Sequence, residues 1–304
     1  MPQAKQAKIT CPSDQELPLS PAATMSRQDS CIDTDLEEAL IQKMTELLSE
    51  GVVVSFSGGV DSSMVLAAAQ KAHKRQPQLR KALALTFKSP FLSQAELQEA
   101  QEIAHELEAE HSFLELNSLP DFIVSTHPSD RCYHCKKAVY QQALDFAAQH
   151  QYRWVCDGTQ IDDKPEARPG MKALSELKIR SPLHELGLGK EQLRQLARQW
   201  NLSVAQKPSA PCMATRFAFG EPIKLELIEA LAQLERQLSL KSLRQVRLRV
   251  LDQARCCKIE CDPSCFMQIL EHKDELISQL KELGFKQVYL DLQGYRSGSM
   301  DEKG

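Results

Sequence analysis

The stretch VVVSFSGGVDSSMVLAAA, Val52 to Ala69, narrows the folds open to this chain more than any other feature. Val52, Val53 and Val54 are β-branched and read as a buried strand, and Met64 to Ala69 read as the start of a helix. Between them lies a turn of small residues. Gly58 and Gly59 let the backbone take angles that side chains forbid and approach a ligand closely. Ser57, Ser62 and Ser63 add hydroxyls, and the first amides of the following helix point outward unpaired. Such a cup suits an anion, most simply a phosphate.

The flanking sequence alternates strand and helix. An amphipathic helix from Leu36 leads into the first strand, and ALALTF, Ala82 to Phe87, is strand-like. SQAELQEAQEIAHELEAE opens with a capping box, Ser93 to Glu96. The strands SFLEL and RWVCDG follow, the second after a helix through KKAVYQQALDFAAQH. This spacing predicts an α/β fold, a mostly parallel sheet with helices on both faces. The pattern changes after about residue 222. A helix from Lys224 to Leu240, an alternating strand RQVRLRVLD, a short strand CCKIEC, a helix SCFMQILEHKDELISQLKELGF and a last strand QVYLDLQGY form a smaller α+β unit. The expected organisation is a mobile tail over 1–34, an α/β domain over 35–222 and a C-terminal α+β domain over 223–304.

With 304 residues, 42% of them hydrophobic, the chain can bury one large core or two modest ones. A net charge of −4 gives no global attraction to nucleic acid. No apolar run approaches a membrane span, and the N-terminus lacks the apolar centre of a signal peptide, so a cytoplasmic protein with no membrane partner is expected. Ten cysteines in such a chain point to metal, thiol chemistry or plain burial rather than a disulfide framework.

Four further motifs could carry chemistry. Asp157, Gly158 and Thr159 follow a strand, where a ligand sits in an open α/β sheet, so they should face the same crevice as Ser57 to Ser62. A turn using Asp and Gly for backbone reasons alone is the alternative. Cys212 lies between prolines and the Ala-Thr-Arg turn of KPSAPCMATR, in an ordered loop where Arg216 would favour its thiolate; an incidental cysteine fits equally. In RCYHCK, Cys132 and Cys135 could share a metal and, with Cys212 as the third thiolate, hold an iron–sulfur cluster with one open iron position; a helix-start pair without a ligand is the other reading. Arg247 and Arg249 share one face of a strand and could clamp a phosphate, although such a pair is more often a solvated face. Cys256, Cys257, Cys261 and Cys265 fit no standard ligand spacing and read as alternating core and surface thiols.

The SGGVDS string lacks a Walker lysine and resembles the PP-loop of ATP pyrophosphatases. FSGGVDSS, DRCYHCK, DGTQIDD, ARPGMKALSELKIRSPLHELGL, KPSAPCMATR, QVRLRV and LDLQGYRSGS together resemble, in order, the LarE family of ATP-dependent sulfur transferases. That resemblance implies a Rossmann-like PP-loop fold binding ATP and Mg²⁺. Ser57, Gly58, Gly59, Asp61 and Ser62 would hold the nucleotide with Asp157, Gly158 and Thr159, and Asp61 would help hold the metal. It further implies that a carboxylate of a pyridinium dicarboxylate mononucleotide is adenylated and attacked by Cys212. The thioester then breaks at the cysteine's Cβ–S bond, leaving a thiocarboxylate and dehydroalanine. Arg247 and Arg249 match the family's basic pair for the substrate phosphate. Some members instead use three cysteines to hold a [4Fe–4S] cluster that delivers sulfide, which Cys132, Cys135 and Cys212 would permit. The resemblance also implies homo-oligomers, hexamers among them. The rivals are a transfer-RNA thiolase of the same superfamily, which the acidic net charge disfavours, an amide-forming ligase, and a nucleotide sensor without catalysis.

Overall fold

The computed structural model describes residues 34–116, 119–163, 169–208, 210–243, 245–296 and 298–300. The tail expected over 1–34 falls outside them, apart from Thr34, which opens the first helix. Asp33–Gly304 form one compact unit. Helix α1 (Thr34–Leu48) leads to β1 (Val52–Ser55), α2 (Val60–Arg75), β2 (Leu83–Lys88), α3 (Gln94–Glu106) and β3 (Glu110–Glu115). Then come α4 (Asp121–Ser125), α5 (Arg131–Gln149) and β4 (Trp154–Cys156), followed by α6 (Gly170–Glu176), α7 (Pro182–Glu185) and α8 (Lys190–Gln199). A second sheet is built from α9 (Leu225–Leu240), β5 (Arg247–Leu251), β6 (Cys256–Glu260), α10 (Phe266–Glu271), α11 (Lys273–Glu282) and β7 (Gln287–Leu290).

The first sheet has the order β3-β2-β1-β4, and every pairing in it is parallel. Strand β1 is apolar on successive residues because both of its faces are covered. Val52 and Val54 pack with α1, α2 and α8 through Met44, Met64 and Leu193, whereas Val53 packs with Tyr140 and Ala143 of α5. The expected sheet with helices on both faces is what forms. Chain order also places a reversal beside β1. The chain steps outward through β2 and β3, then returns to lay β4 on the opposite edge of β1, with Val54 level with Ala84 and Cys156. Parallel sheets bind ligands beyond their carboxyl ends at such a reversal. The two loops that leave β1 and β4 there are Ser57–Ser62 and Asp157–Thr159.

The second sheet has the order β5-β6-β7, with β5 and β6 antiparallel and β6 and β7 parallel. Its core reaches upstream of residue 223, taking in Phe91, Ile123, Met213, Ala214 and Phe217. A bridge between Phe217 and Val250 joins the cysteine-containing loop directly to β5. The helix expected over Ser264–Phe285 is broken. Pro263–Cys265 make a 3₁₀ turn, and His272 ends α10 and starts α11, where Asp274 and Glu275 favour a new N-terminus. The last strand stops at Leu290, because Asp291 turns the chain by accepting the amide of Gln293 at 2.9 Å. Of the C-terminal thiols, Cys257, Cys261 and Cys265 are buried and Cys256 is half-buried. Among the described residues no helix is long and apolar enough to cross a membrane.

A buried ion pair ties the cysteine-containing loop to the second sheet. Arg216 donates from Nε and Nη2 to Glu235 at 2.9 and 2.7 Å, and Glu235 also accepts the amide of Leu248 at 2.8 Å. Removing one member strands the other in a low-dielectric core, which costs about 3–5 kcal/mol, whereas replacing both by apolar groups costs far less. Urea unfolding of Glu235→Leu should therefore show a loss of about 3–5 kcal/mol that the double variant Arg216→Met/Glu235→Leu largely restores. A single variant within about 1 kcal/mol of the parent would contradict this account.

Candidate functional site

The backbone leaves β1 in a tight cup. Phe56 extends the strand by one rung, donating its amide to Leu85 at 2.9 Å, and Thr86 Oγ1 donates to the Phe56 carbonyl at 2.8 Å. Gly58 then adopts φ +65, and a Cβ there would stand 3.0 Å from Ala100 Cα, so both backbone angle and the approach of α3 demand glycine. The amide of Ser57 donates to Ser62 Oγ at 3.3 Å, and Ser62 Oγ donates to the Gly59 carbonyl at 3.2 Å. Gly59 caps α2 without any side-chain bond, which leaves the helix's opening amides and its positive end for an anion.

The loop after β4 meets this cup. A Cβ on Gly158 would lie 2.6 Å from the amide nitrogen of Ser62 and 2.9 Å from the carbonyl carbon of Asp61. No other residue type permits that approach. Asp157 is buried and shapes the turn, accepting from Ser181 Oγ at 2.6 Å and from both the amide and hydroxyl of Thr159. The Asp and Gly of this turn thus serve the backbone and bring it against the cup at once. Asp61 lies in the first turn of α2 beside Gly158, where its carboxylate oxygens suit a hard cation such as Mg²⁺.

The cysteine loop is tied to the same cup by a residue that spacing did not single out. Lys207 Nζ donates to the Gly58 carbonyl at 2.8 Å and pairs with Glu99 at 3.0 Å. Cys212 lies five residues on, within about 17 Å of extended chain. One face of α3 spans the gap. Ala100 and Ile103 contact Gly58, Glu99 holds Lys207, and the carboxylate of Glu96 acts on the Cys212 thiol. Glu96 is itself fixed by the expected capping box, accepting from the amide and hydroxyl of Ser93 at 2.9 and 2.8 Å.

Cys132 and Cys135 lie one turn apart at the start of α5, within electrostatic reach of Cys212. Burial pushes the Cys135 thiol up to about 12, reinforced by Cys212 and Cys132 and opposed by Arg131 and Lys136. Cys212 is an exposed residue, but the protein mass around its sulfur still raises its pKa; the Ala214 amide and Arg131 oppose that shift, and Cys132 and Glu96 add to it. Among the described residues no three His, Cys, Asp or Glu side chains stand together as a metal site. The three thiols share a neighbourhood without forming a ready ligand set.

Three arginines fall differently from expectation. Arg216 turns away from Cys212 to Glu235 and also donates to the Pro211 carbonyl at 3.1 Å, so it shapes the loop, and Arg131 is the cation acting on the thiol. Arg249 is buried, with Nε on Glu260 at 2.8 Å, Nη1 on the Thr215 carbonyl at 2.9 Å and Nη2 on Ser299 at 3.2 Å. Arg247 is half-buried, its guanidinium 5.4 Å from the Tyr295 ring centre and one amine on the Val246 carbonyl at 2.7 Å.

Comparison with known proteins agrees with this geometry. Residues 32–143 match the family model described as NAD synthase. The chain is 31% identical over 268 residues to an uncharacterized protein of Synechocystis, covering 87% of this chain and 97% of that one. It is 32% identical over 251 residues to the pyridinium-3,5-bisthiocarboxylic acid mononucleotide synthase of Lactiplantibacillus plantarum, covering 83% of this chain and 89% of that one. An uncharacterized protein of Methanocaldococcus jannaschii is 29% identical over 246 residues.

The Gly158 contact is with backbone, which cannot swing aside. Gly158→Ala should lower stability by about 1–3 kcal/mol and weaken ATP binding at least tenfold by calorimetry. Unchanged affinity would separate this turn from the nucleotide cup.

Proposed function

Because the chain belongs to the LarE family of PP-loop proteins, we propose that it is an ATP-dependent sulfur transferase acting on a carboxylate of pyridinium-3,5-biscarboxylic acid mononucleotide. The bond from Lys207 to Gly58 carries this reading, since it ties the cysteine loop to the anion cup. In this mechanism the substrate carboxylate attacks the α-phosphorus of ATP, and pyrophosphate departs into the cup at the start of α2. Ser57, Gly59 and Ser62 keep that cup open, and the helix amides receive the charge. Asp61 would hold Mg²⁺, which supplies charge neutralisation on the phosphates. The acyl adenylate so formed is a carbonyl with AMP as leaving group.

Cys212 then attacks the carbonyl as thiolate and AMP leaves, giving a thioester. Burial holds its thiol above the ordinary range, and because Cys212 is exposed the thiol passes its proton to solvent before the attack. Loss of the Cys212 Cα proton with cleavage of Cβ–S releases the thiocarboxylate and leaves dehydroalanine. Arg249 supports the loop, through the Thr215 carbonyl, more directly than it could reach a ligand, and Arg247 is the better placed of the two for a phosphate. The grouping of Cys132 and Cys135 with Cys212 favours a second route, in which sulfide is supplied to this same place and the chain survives.

Intact-mass spectrometry after anaerobic turnover with ATP, Mg²⁺ and the pyridinium substrate should show loss of one H₂S equivalent at Cys212. An unchanged mass with bound iron would favour the second route, and an unchanged mass without iron would remove both. An amide-forming ligase would retain activity in Cys212→Ala. Lys207→Met should leave ATP affinity within about threefold while slowing AMP formation roughly tenfold or more, because it frees the cysteine loop rather than the cup. Equal losses in binding and rate would instead place Lys207 on the nucleotide.

A further inference from the structure

Beside the cysteines lies a cation to which the steps above give no contact with the substrate. Arg131 opens α5 one residue before Cys132, and it is only 5% exposed. Its guanidinium lies 4.8 Å from the centre of the Phe219 ring. Among the described residues it has no hydrogen bond and no ion pair from its side chain, although a buried guanidinium carries five donors. Four other cations near the cysteine loop have partners, whereas Lys136 is a flexible ammonium one residue past Cys135. Arg216 is on Glu235, Arg249 on Glu260, Lys207 on Gly58 and Glu99, and Arg247 on the Val246 carbonyl.

The surroundings of Arg131 are built rather than incidental. His127 is buried, its Nδ1 is bonded to the Ala218 carbonyl at 2.8 Å, and its ring lies 5.1 Å from Phe219. That bond makes Nδ1 the donor, so Nε2 carries a lone pair, and this nitrogen is buried without a partner. Desolvation and the Arg131 charge hold the imidazole neutral, with a pKa of about 4. The Gly220 amide donates to the His127 carbonyl at 3.0 Å, fixing the segment after Cys212 against the start of α5. Arg131 acts on both Cys135 and Cys212. The result is a positive, planar, unpaired group at the place where an acid must meet sulfur.

We propose that Arg131, stacked on Phe219 beside Cys212, is the anchor for the carboxylate end of the aromatic acid that the sulfur attacks. A guanidinium fork matches a carboxylate in two parallel hydrogen bonds, and it would set the acid's plane before activation. The neutral His127 packed on the same Phe219 ring adds no competing charge. This inference rests on the sulfur-transfer reading for the identity of the acid, whereas the anion site itself does not.

The test is charge-selective alkylation of the full-length protein without nucleotide. Iodoacetate and iodoacetamide attack the same thiolate, so a change in thiol ionisation cancels in the ratio of their rates. Only the attraction of the negative reagent remains. The ratio at the Cys212 peptide should fall about five- to tenfold in Arg131→Met and largely return in Arg131→Lys. A ratio equal in the parent and Arg131→Met would reduce Arg131 to a packing role and overturn the proposal. Because Arg131→Met could unfold, a second measurement uses the parent protein alone. Pyridine-3,5-dicarboxylate should protect Cys212 from iodoacetamide and pyridine-3,5-dicarboxamide should not; equal protection by both, or none, overturns the anchor. Neither experiment needs ATP or turnover, so failure of sulfur transfer would leave these results standing, and their failure would leave sulfur transfer standing.

Discussion

Burial of β1 on both faces is the constraint from which the rest follows. A strand covered by helices on each side cannot end in a polar strand continuation, so its exit must be a loop at the sheet's rim. Because β4 returns to the opposite edge of β1 from β2, two such exits stand side by side, and Gly158 brings them into backbone contact with the start of α2. The anion cup is therefore less a property of the serines and glycines alone than of where the sheet reverses.

Helix α3 relates that cup to the cysteines. It touches Gly58 through Ala100 and Ile103, grips Lys207 through Glu99, and carries Glu96 toward Cys212. Positions 96, 99, 100 and 103 fall on one helical face, so a single rigid element fixes the reach between the cup and the cysteine loop. The buried pairs Arg216–Glu235 and Arg249–Glu260 then hold the cysteine loop from its other side.

Much of this was legible because it is local. A β-branched run, a glycine pair and an Ala-rich start identify β1, its loop and α2, and Ser93 with Glu96 identify the start of α3. What escaped is long-range or directional. Lys207 and Gly58 are joined across 149 positions, a contact that no periodicity records, although the lysine opens the same motif as Cys212. Arg216 is near Cys212 in sequence yet aims at a helix downstream, since side-chain direction follows packing rather than proximity. The break at His272 escaped because a heptad-like apolar spacing continues through it while the backbone does not. Arg131 was visible only as a charge flanking a C-x-x-C, and its lack of an ion pair among the described residues is a fact of three dimensions.

The thiols of this chain are not equally open to the outside. Cys156, Cys257, Cys261 and Cys265 are buried, and Cys132 and Cys212 are exposed. Among the described thiols, a peroxide or other diffusing oxidant meets Cys132 and Cys212 first, and those belong to the candidate site. Air damage would therefore alter the candidate site while the buried thiols and the compact body persist, so an intact melting curve would not report on the state of those sulfurs.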